Sequence, residues 1–260
     1  KSPQYSKRAE TLAQSLSLPI LSDGEPAPEN ASVILNVGKR LSLSDPSRPK
    51  QSPVCLDVDT PAFARRLSGA VRRSPLARAA GLPRRRLPVM DATAGLGRDA
   101  FQLASFGLSV IALASEPLIA ALLEDAGAAA LRSTADVAVA AAGRLRLLKT
   151  DSQRYLADLP ESKCPGVIYL DPMFSSAARG TAEVKKEMAI FRRLFEEPGS
   201  PDTLNESDDD ALALFQTAMR TASERVIVKR QINAPPLSSY PSATFTGSRI
   251  RFDMYLTRRP

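Results

Sequence analysis

Histidine is absent from this chain of 260 residues, and cysteine occurs only twice. Without histidine, Ser-His-Asp catalysis, Cys-His catalysis and any metal site that needs imidazole are excluded. Cys55 and Cys164 are too few and too isolated for a disulfide framework or a zinc site, which favours a reducing, cytoplasmic environment. An enzyme of this composition must use carboxylates, lysines, backbone groups or a cofactor with its own reactivity, and we expect no metal.

Long hydrophobic runs are also lacking. No segment approaches the roughly 20 apolar residues that a membrane span needs, so we expect no association with a membrane. The opening residues 1–4 lack the apolar core of a signal peptide. With 43% hydrophobic and 24% charged residues, the composition is that of a soluble globular protein with one large domain, or one domain and a smaller one.

Positive charge predominates along the chain. The formal net charge is +7 and the sequence pI is near 9.6, which favours a polyanionic partner such as nucleic acid. Residues 62–86 are especially rich in arginine, whose permanently charged guanidinium suits phosphate contacts. A linker with a solvated basic face is the alternative interpretation of this segment.

The pattern of the chain changes twice, which predicts three segments. Residues 1–60 form a small, partly β N-terminal lobe, with short strands expected over 32–37, 40–44 and 54–58. Residues 61–86 form the basic connecting segment. Residues 87–260 alternate strands and helices, with strands expected over 87–91, 108–114, 144–148, 167–170 and 225–230, and an antiparallel pair over 242–246 and 251–256. This alternation predicts an α/β, Rossmann-like parallel sheet flanked by helices.

The first motif of this α/β region is a strand followed by a glycine turn, Leu87 to Asp99. Asp91 ends the strand, Gly95 and Gly97 form the turn, and a helix begins at Arg98. Glycines let backbone N–H groups approach a ligand closely, and ligands bind in open α/β sheets at the carboxyl ends of strands. The same residues also fit the dinucleotide fingerprint G-x-G-x-x-G/A, or a tight turn with no ligand.

The second motif, Asp171-Pro172-Met173-Phe174, follows the fourth strand of this region. It is similar to the (Asn/Asp)-Pro-Pro-(Tyr/Phe) motif of Rossmann-like S-adenosylmethionine-dependent methyltransferases that act on exocyclic amines of bases. A base amine is a poor nucleophile because its lone pair is delocalised into the ring. Asp171 and the Pro172 carbonyl would accept the N–H bonds of the amine, and Phe174 would stack on the base. An ordinary strand-ending Asp-Pro turn is the alternative.

Several further blocks sharpen the resemblance to one family. They are Asp91 to Phe101, Tyr169 to Phe174, Val184 to Met188, Val228 to Arg230 with Ala234 to Leu237, and Arg251 to Tyr255. In this order they resemble the bacterial 16S rRNA (guanine-N2) methyltransferase family RsmJ (YhiQ). The resemblance implies that the 2-amino group of a guanine in 16S rRNA, free or in the small ribosomal subunit, is methylated with S-adenosylmethionine as the methyl donor.

The resemblance also implies which residues hold this donor. The matching positions are Arg98, Asp99, Asp171 and the pair Asp151-Ser152, to which the physical argument adds Asp91, Gly95 and Gly97. The family usually has a glutamate and an arginine at the end of the second strand, whereas this chain has Ala114 and Ser115. The nearest acid is Glu116, two residues late, so either Glu116 reaches the ribose hydroxyls or donor binding is weaker.

Basic residues around the same crevice are the predicted contacts to rRNA phosphates: Arg65, Arg66, Lys185, Lys186, Lys229 and Arg230. Two other functions stay open at this point. An NAD-type oxidoreductase nearly satisfies the glycine fingerprint, although nothing resembles a hydride-transfer site. A non-catalytic RNA-binding assembly factor would retain the fold and tolerate Ala114.

Overall fold

The computed structural model describes residues 3–22, 24–68, 74–172, 182–195 and 208–257. The chain divides into two compact units, one made of residues 1–56 and 176–205 and the other of residues 57–175 and 206–260. The predicted division at residues 60 and 86 stays a prediction. Met173 and Phe174 of the second motif lie outside the described residues.

The described residues contain α-helices and β-strands with the following bounds. The helices are α1 (Ser6–Leu16), α2 (Pro61–Leu67), α3 (Pro75–Ala79), α4 (Arg98–Ser105), α5 (Pro117–Ala130), α6 (Asp136–Ala142), α7 (Ser152–Ala157), α8 (Ala182–Phe195) and α9 (Asp208–Thr221). The strands are β1 (Ile34–Val37), β2 (Leu41–Ser44), β3 (Val89–Asp91), β4 (Val110–Ala114), β5 (Leu145–Lys149), β6 (Val167–Leu170), β7 (Arg225–Gln231), β8 (Ala243–Thr246) and β9 (Ile250–Leu256).

The first unit contains an antiparallel hairpin of β1 and β2. The predicted third strand over 54–58 is wrong, because only Val54 joins the hairpin, through an isolated bridge to Leu43. The backbone explains the difference. The Leu56 carbonyl accepts a hydrogen bond from the Arg40 guanidinium at 2.7 Å instead of from a neighbouring strand, and Pro53 has no N–H to offer a sheet.

The second unit is built on a seven-stranded sheet in the order β5-β4-β3-β6-β7-β9-β8. The strands β5, β4, β3, β6 and β7 are parallel to one another. The last strand in sequence, β9, runs antiparallel between β7 and β8. The predicted α/β class with a mostly parallel sheet is thus confirmed, including the antiparallel pair near the end of the chain.

The central strands are buried along their whole length, as expected for a parallel sheet that is covered on both faces. Every residue of β3 and of β6 is buried. On one face, Phe215 and Ala218 of α9 share a core cluster with Met90 of β3 and Ile168 of β6. At about 25 cal/mol per Å² of apolar surface, burial of such side chains is the main stabilising contribution to the fold.

Short capping sequences determine where the helices begin. The Thr60 hydroxyl accepts a hydrogen bond from Phe63 N at the start of α2, and the Ser74 hydroxyl accepts one from Ala77 N at the start of α3. Proline follows each cap, where its fixed φ suits the first helical turn. The side chains of Glu116 and Asp151 cap α5 and α7, and each acid lies two residues after the end of a strand.

Two further findings concern the helices. Helix α9 begins at Asp208 with three aspartates, and carboxylates are favoured in the first turn of a helix. Within the described ranges, no helix has the length and apolarity to cross a membrane.

Candidate active site

The carboxyl ends of four parallel strands meet at one edge of the sheet in the second unit. The chain runs from β3 to β4 on one side and returns to β6 on the other side of β3. Such a reversal of strand order opens a crevice in which ligands bind. Acidic residues follow all four strands or end them: Asp91, Glu116, Asp151 and Asp171.

The glycine turn after β3 is tight and left-handed at two positions. Gly95 has a φ of 49° and Gly97 a φ of 82°. The Gly97 N–H donates to the Ala94 carbonyl at 2.7 Å, which closes the turn. Helix α4 begins at the next residue, Arg98, which is half-buried. The predicted strand, turn and helix are therefore formed as expected.

The two motifs lie side by side. The Asp171 backbone N–H donates to the Thr93 hydroxyl at 2.6 Å, and the Thr93 N–H donates to Asp91 Oδ1 at 3.1 Å. Thr93 thus joins the end of β6 to the end of β3. The structure brings Asp171 to the glycine turn, as a single crevice requires.

A network of charged side chains surrounds Asp171. Lys229 Nζ lies 2.7 Å from Asp171 Oδ2 and 2.8 Å from Asp99 Oδ2. Asp99 also accepts from Arg66 at 2.6 Å and from the Tyr169 hydroxyl at 2.6 Å. The Asp99 side chain is 11% exposed and that of Asp171 is 38% exposed. Asp171 is therefore the member of the carboxylate pair that a substrate can reach.

Two groups of the network stay charged. Burial opposes the charge on Asp99, but Lys229 and Arg66 outweigh it and hold the pKa of this carboxyl well below its usual range. Burial also disfavours the Lys229 ammonium, whereas Asp171 and Asp99 raise its pKa well above the usual value. These two groups form a buried ion pair at neutral pH.

Three other groups respond mainly to burial. Burial raises the pKa of Asp91 to about 8, so this carboxyl is mostly protonated at neutral pH. Burial and the neighbouring Asp99 raise the pKa of Tyr169, which keeps its hydroxyl as a donor. Burial raises the pKa of Asp171 as well, and the Lys229 ammonium opposes that shift.

The predicted donor-binding residues after β4 and β5 are at the crevice edge, but most have structural partners. Ser115 is exposed, and Glu116 Oε1 accepts from Leu118 N at 3.2 Å. Asp151 Oδ1 accepts from Arg154 N at 2.8 Å. Ser152 Oγ donates to the Ala92 carbonyl at 2.6 Å and so ties β5 to the glycine turn.

The predicted phosphate contacts within the second unit have different surroundings. Lys229 and Arg66 both bind the Asp99 carboxylate, although the Arg66 side chain is still 40% exposed. Arg230 is 7% exposed and its Nε donates to the Pro235 carbonyl at 2.9 Å, a position that does not suit a phosphate contact. Arg65 is exposed on α2.

Lys185 and Lys186 belong to α8 in the other unit. Lys186 Nζ donates to Ser52 Oγ at 2.9 Å and to the Pro53 carbonyl at 3.2 Å. Their predicted role stays a prediction.

Sequence reasoning missed Tyr169 and Thr93. Tyr169 lies inside an apolar strand, where it is indistinguishable from a core residue, although a buried tyrosine hydroxyl needs a hydrogen-bond partner. Thr93 occupies the position between the strand-ending acid and the glycines. The Thr93 hydroxyl accepts a hydrogen bond from the backbone N–H of Asp171, and no local sequence pattern reveals this contact.

The chemistry of the edge fits the implied donor. S-Adenosylmethionine presents an ammonium, ribose hydroxyls and an adenine amino group, all of which are hydrogen-bond donors. The edge presents the carboxylate acceptors Glu116, Asp151 and Asp171, whereas Asp91 is buried and mostly protonated. Asp99 is enclosed, and its carboxylate already accepts hydrogen bonds from Arg66, Tyr169 and Lys229. This indicates that Asp99 shapes the crevice by holding these neighbouring side chains in place.

Comparison with known proteins agrees with this geometry. The SAM_MT family model, which describes SAM-dependent methyltransferases, matches residues 20–257. A SAM-dependent methyltransferase from Neisseria gonorrhoeae has a solved structure that is similar to this chain, with a TM-score of 0.71 and 29% identity. That similarity covers 98% of this chain and 94% of the Neisseria chain.

Curated relatives are more similar in sequence. Ribosomal RNA small subunit methyltransferase J from Thioalkalivibrio sulfidiphilus is 42% identical over 255 residues, covering 96% of this chain and 93% of that protein. The protein of the same name from Pseudomonas fluorescens is 40% identical over 258 residues, covering 97% and 91%. The chain therefore belongs to the ribosomal RNA small subunit methyltransferase J family of SAM-dependent methyltransferases.

Proposed function

We propose that this protein transfers a methyl group from S-adenosylmethionine to the 2-amino group of a guanine in 16S rRNA. The observation that carries the proposal is the position of Asp171, ion-paired with Lys229 and hydrogen-bonded through its backbone to Thr93 beside the glycine turn. This arrangement supports the proposal because it brings an acceptor carboxylate close to the glycine turn that we assign to the donor. The names of the curated relatives support small-subunit rRNA as the substrate.

The donor would be held by the carboxyl edge of β3, β4, β5 and β6. When bound, S-adenosylmethionine supplies a methyl group on a sulfonium, an electrophile that needs neither histidine nor metal. The residues assigned to binding are Asp91, Gly95, Gly97, Arg98, Asp99, Ser115, Glu116, Asp151, Ser152 and Asp171. Asp99 would act through Lys229 and Tyr169, and Glu116 would face the ribose while it caps α5.

Asp171 and Pro172 would activate the acceptor. Asp171 Oδ1 accepts an N–H of the 2-amino group and draws electron density onto the nitrogen, and the Pro172 carbonyl accepts the second N–H. The N–C bond would form as the S–C bond of the donor breaks, with the electron pair left on sulfur, and the carboxylate would take the proton that the nitrogen loses. Phe174 would stack on the base, a contact worth about 1–3 kcal/mol. Alignment of nitrogen and methyl carbon would supply most of the rate.

The rRNA would be bound mainly through its phosphates. The net charge of +7 and the exposed Arg65 support a polyanionic partner, and Lys185 and Lys186 are assigned to the same role. Arg230 is not assigned, since it is buried. A bacterial rRNA-modifying enzyme of this kind works in the cytoplasm, either on free 16S rRNA or on the small subunit.

The family assignment decides against an NAD-type oxidoreductase. Calorimetric titration checks this directly, because S-adenosylhomocysteine should bind and NADH should not. The remaining alternative is an assembly factor that binds RNA without modifying it.

The decisive experiment is mass spectrometry of rRNA nucleosides after reaction of undermethylated 16S rRNA or small subunits with the purified protein. N2-methylguanosine should appear with the wild type and disappear with Asp171→Asn or Asp171→Ala, while both variants stay folded. Asp158→Asn is the matched control, since Asp158 is 76% exposed in its side chain. RNA binding without any methylated nucleoside would favour the assembly factor.

A further inference from the structure

We propose that Lys229 is a positioning residue that presents Asp171 to the guanine as an ionised carboxylate with one oxygen free. The sequence pattern predicts that Lys229 binds phosphate, whereas its contacts in the structure are to Asp171 and Asp99. The inference rests on the proposed function and adds to it the reason why guanine, rather than adenine, suits this crevice.

The position of Lys229 follows from the register of the sheet. Strand β7 lies parallel to β6, with Val228 paired to Leu170. The next residues are therefore Lys229 on β7 and Asp171 directly after the end of β6. The Lys229 side chain is 22% exposed and donates to Asp171 Oδ2 at 2.7 Å and to Asp99 Oδ2 at 2.8 Å. A flexible lysine held by two carboxylates has one defined orientation.

This contact leaves Asp171 Oδ1 available. Among the residues that the structure describes, Lys229 is the one side chain that donates to Asp171, and it does so at Oδ2. The backbone of Asp171 is also held, because its N–H donates to the Thr93 hydroxyl. With backbone and Oδ2 both fixed, Oδ1 points in a defined direction from a side chain that is 38% exposed.

The charge state of Asp171 decides which base edge it complements. An ionised carboxylate only accepts hydrogen bonds, whereas a protonated one also donates. Guanine presents N1–H and its 2-amino group side by side, which are two donors. Adenine presents its amino group beside an unprotonated N1, which is a donor beside an acceptor. An ionised Asp171 therefore matches guanine, and it places a negative charge against the N1 lone pair of adenine.

Several charged or titratable groups face Asp171 from neighbouring elements. Lys229 comes from β7, Asp99 from α4, Asp91 from β3, Tyr169 from β6 and Arg66 from α2. Burial and Asp99 raise the pKa of Asp171, whereas Lys229 and Arg66 lower it. Removal of Lys229 would leave Asp171 beside Asp99 without the ammonium between them, so Asp171 would hold its proton to higher pH.

The kinetic test compares Lys229→Met, Lys229→Arg and, as the matched control, Lys163→Met on the exposed turn Glu161–Lys163. For Lys229→Met we expect kcat at pH 7 to fall by about ten- to a hundredfold, a range typical of lost acid–base function. The acid limb of its pH–kcat profile should move to higher pH, with recovery in alkaline buffer. KM for the rRNA should change little. Lys229→Arg should restore most activity, and Lys163→Met should equal the wild type.

Two further measurements separate positioning from mere structural support. Carbon-13 NMR titration of the aspartate carboxyl carbons, with the Asp171 signal assigned by Asp171→Asn, should show Asp171 titrating at higher pH in Lys229→Met than in the wild type. This readout needs no turnover. A substrate with 2-aminopurine at the modified guanine, located first by mass spectrometry, lacks the N1–H. The wild type should methylate it much more slowly than guanine, and Lys229→Met below pH 7 should discriminate less.

The outcomes are distinguishable. If the wild type makes no N2-methylguanosine, the proposed function fails and this inference falls with it. If the wild type does make it, but Lys229→Met keeps the wild-type pH profile and Asp171 titration, the role of Lys229 is refuted while the proposed function stands. Equal rates on guanine and 2-aminopurine would overturn the explanation of base choice.

Discussion

Gly97 lies directly against Leu123, with no space for a side chain between them. A Cβ added to Gly97 would overlap Leu123 Cδ1, and the φ of Gly97 is also positive at 82°. The turn after β3 is thus held close to α5 by two separate requirements, one conformational and one steric.

Gly97→Ala should therefore destabilise the fold. Backbone strain at a positive φ and the overlap with Leu123 together predict a loss of about 1–4 kcal/mol in the free energy of unfolding. Urea denaturation would measure it. Gly127→Ala is the matched control, because Gly127 lies inside α5 with nothing within 4 Å of an added Cβ. That variant should gain roughly 0.5–1 kcal/mol. Equal stabilities for the two variants would contradict the argument.

Asp91 makes stability depend on pH. Its pKa is about 8 in the folded protein, against about 3.9 in the unfolded chain. Between these values the unfolded state has lost a proton that the folded state keeps, so stability falls as pH rises from about 4 to about 8. Asp91→Asn removes this dependence. Relative to the wild type, the variant should gain roughly 1.4 kcal/mol per pH unit across that window at most.

Chemical denaturation of both proteins at pH 4.5, 6 and 8 would check this prediction for Asp91. The asparagine keeps an acceptor for the Thr93 N–H, which limits side effects. A stability difference that stays constant with pH would show that Asp91 is ionised in the folded protein throughout.

Truncation of the Asp253 side chain on β9 should strongly destabilise the fold. This side chain is 1% exposed and accepts from Arg251 and from the Thr244 hydroxyl. Asp253→Ala leaves the Arg251 guanidinium without its carboxylate, which predicts a loss of about 3–5 kcal/mol by thermal or urea unfolding. Asp158→Ala breaks an exposed pair with Arg154 and should cost less than about 1 kcal/mol. A small effect at Asp253 would show that water replaces the carboxylate.

Tyr169→Phe should weaken the charge network without disturbing the strand. It removes the hydroxyl that donates to Asp99 Oδ2 at 2.6 Å, and a hydrogen bond to a charged group contributes roughly 1.5–3 kcal/mol. Differential scanning calorimetry should therefore show a lower Tm. Tyr240→Phe provides the control, since Tyr240 is 93% exposed and its hydroxyl is in solvent. Unchanged Tm in Tyr169→Phe would mean that Lys229 and Arg66 suffice for Asp99.

Local pattern was sufficient for the sheet and for the glycine turn. Short apolar runs that alternate with helical segments predict β3 to β7, and Gly95 and Gly97 predict the turn. Both predictions succeed because each feature depends on residues that are close in sequence. The predicted third strand of the first unit is wrong because the Leu56 carbonyl accepts a hydrogen bond from Arg40. No periodicity in the sequence reveals this contact. The ion pairs of Lys229 could not be predicted for the same reason. A strand-ending lysine looks like a surface cation until the register places it between two carboxylates.

The contacts of Lys229 also bear on how the protein is made. They join residues 58 and 130 positions apart along the chain. A nascent chain that has emerged only through β6 therefore carries two neighbouring carboxylates and no ammonium between them. The ion pairs of Lys229 with Asp99 and Asp171 can therefore form only late in synthesis, after β7 has emerged and paired with β6.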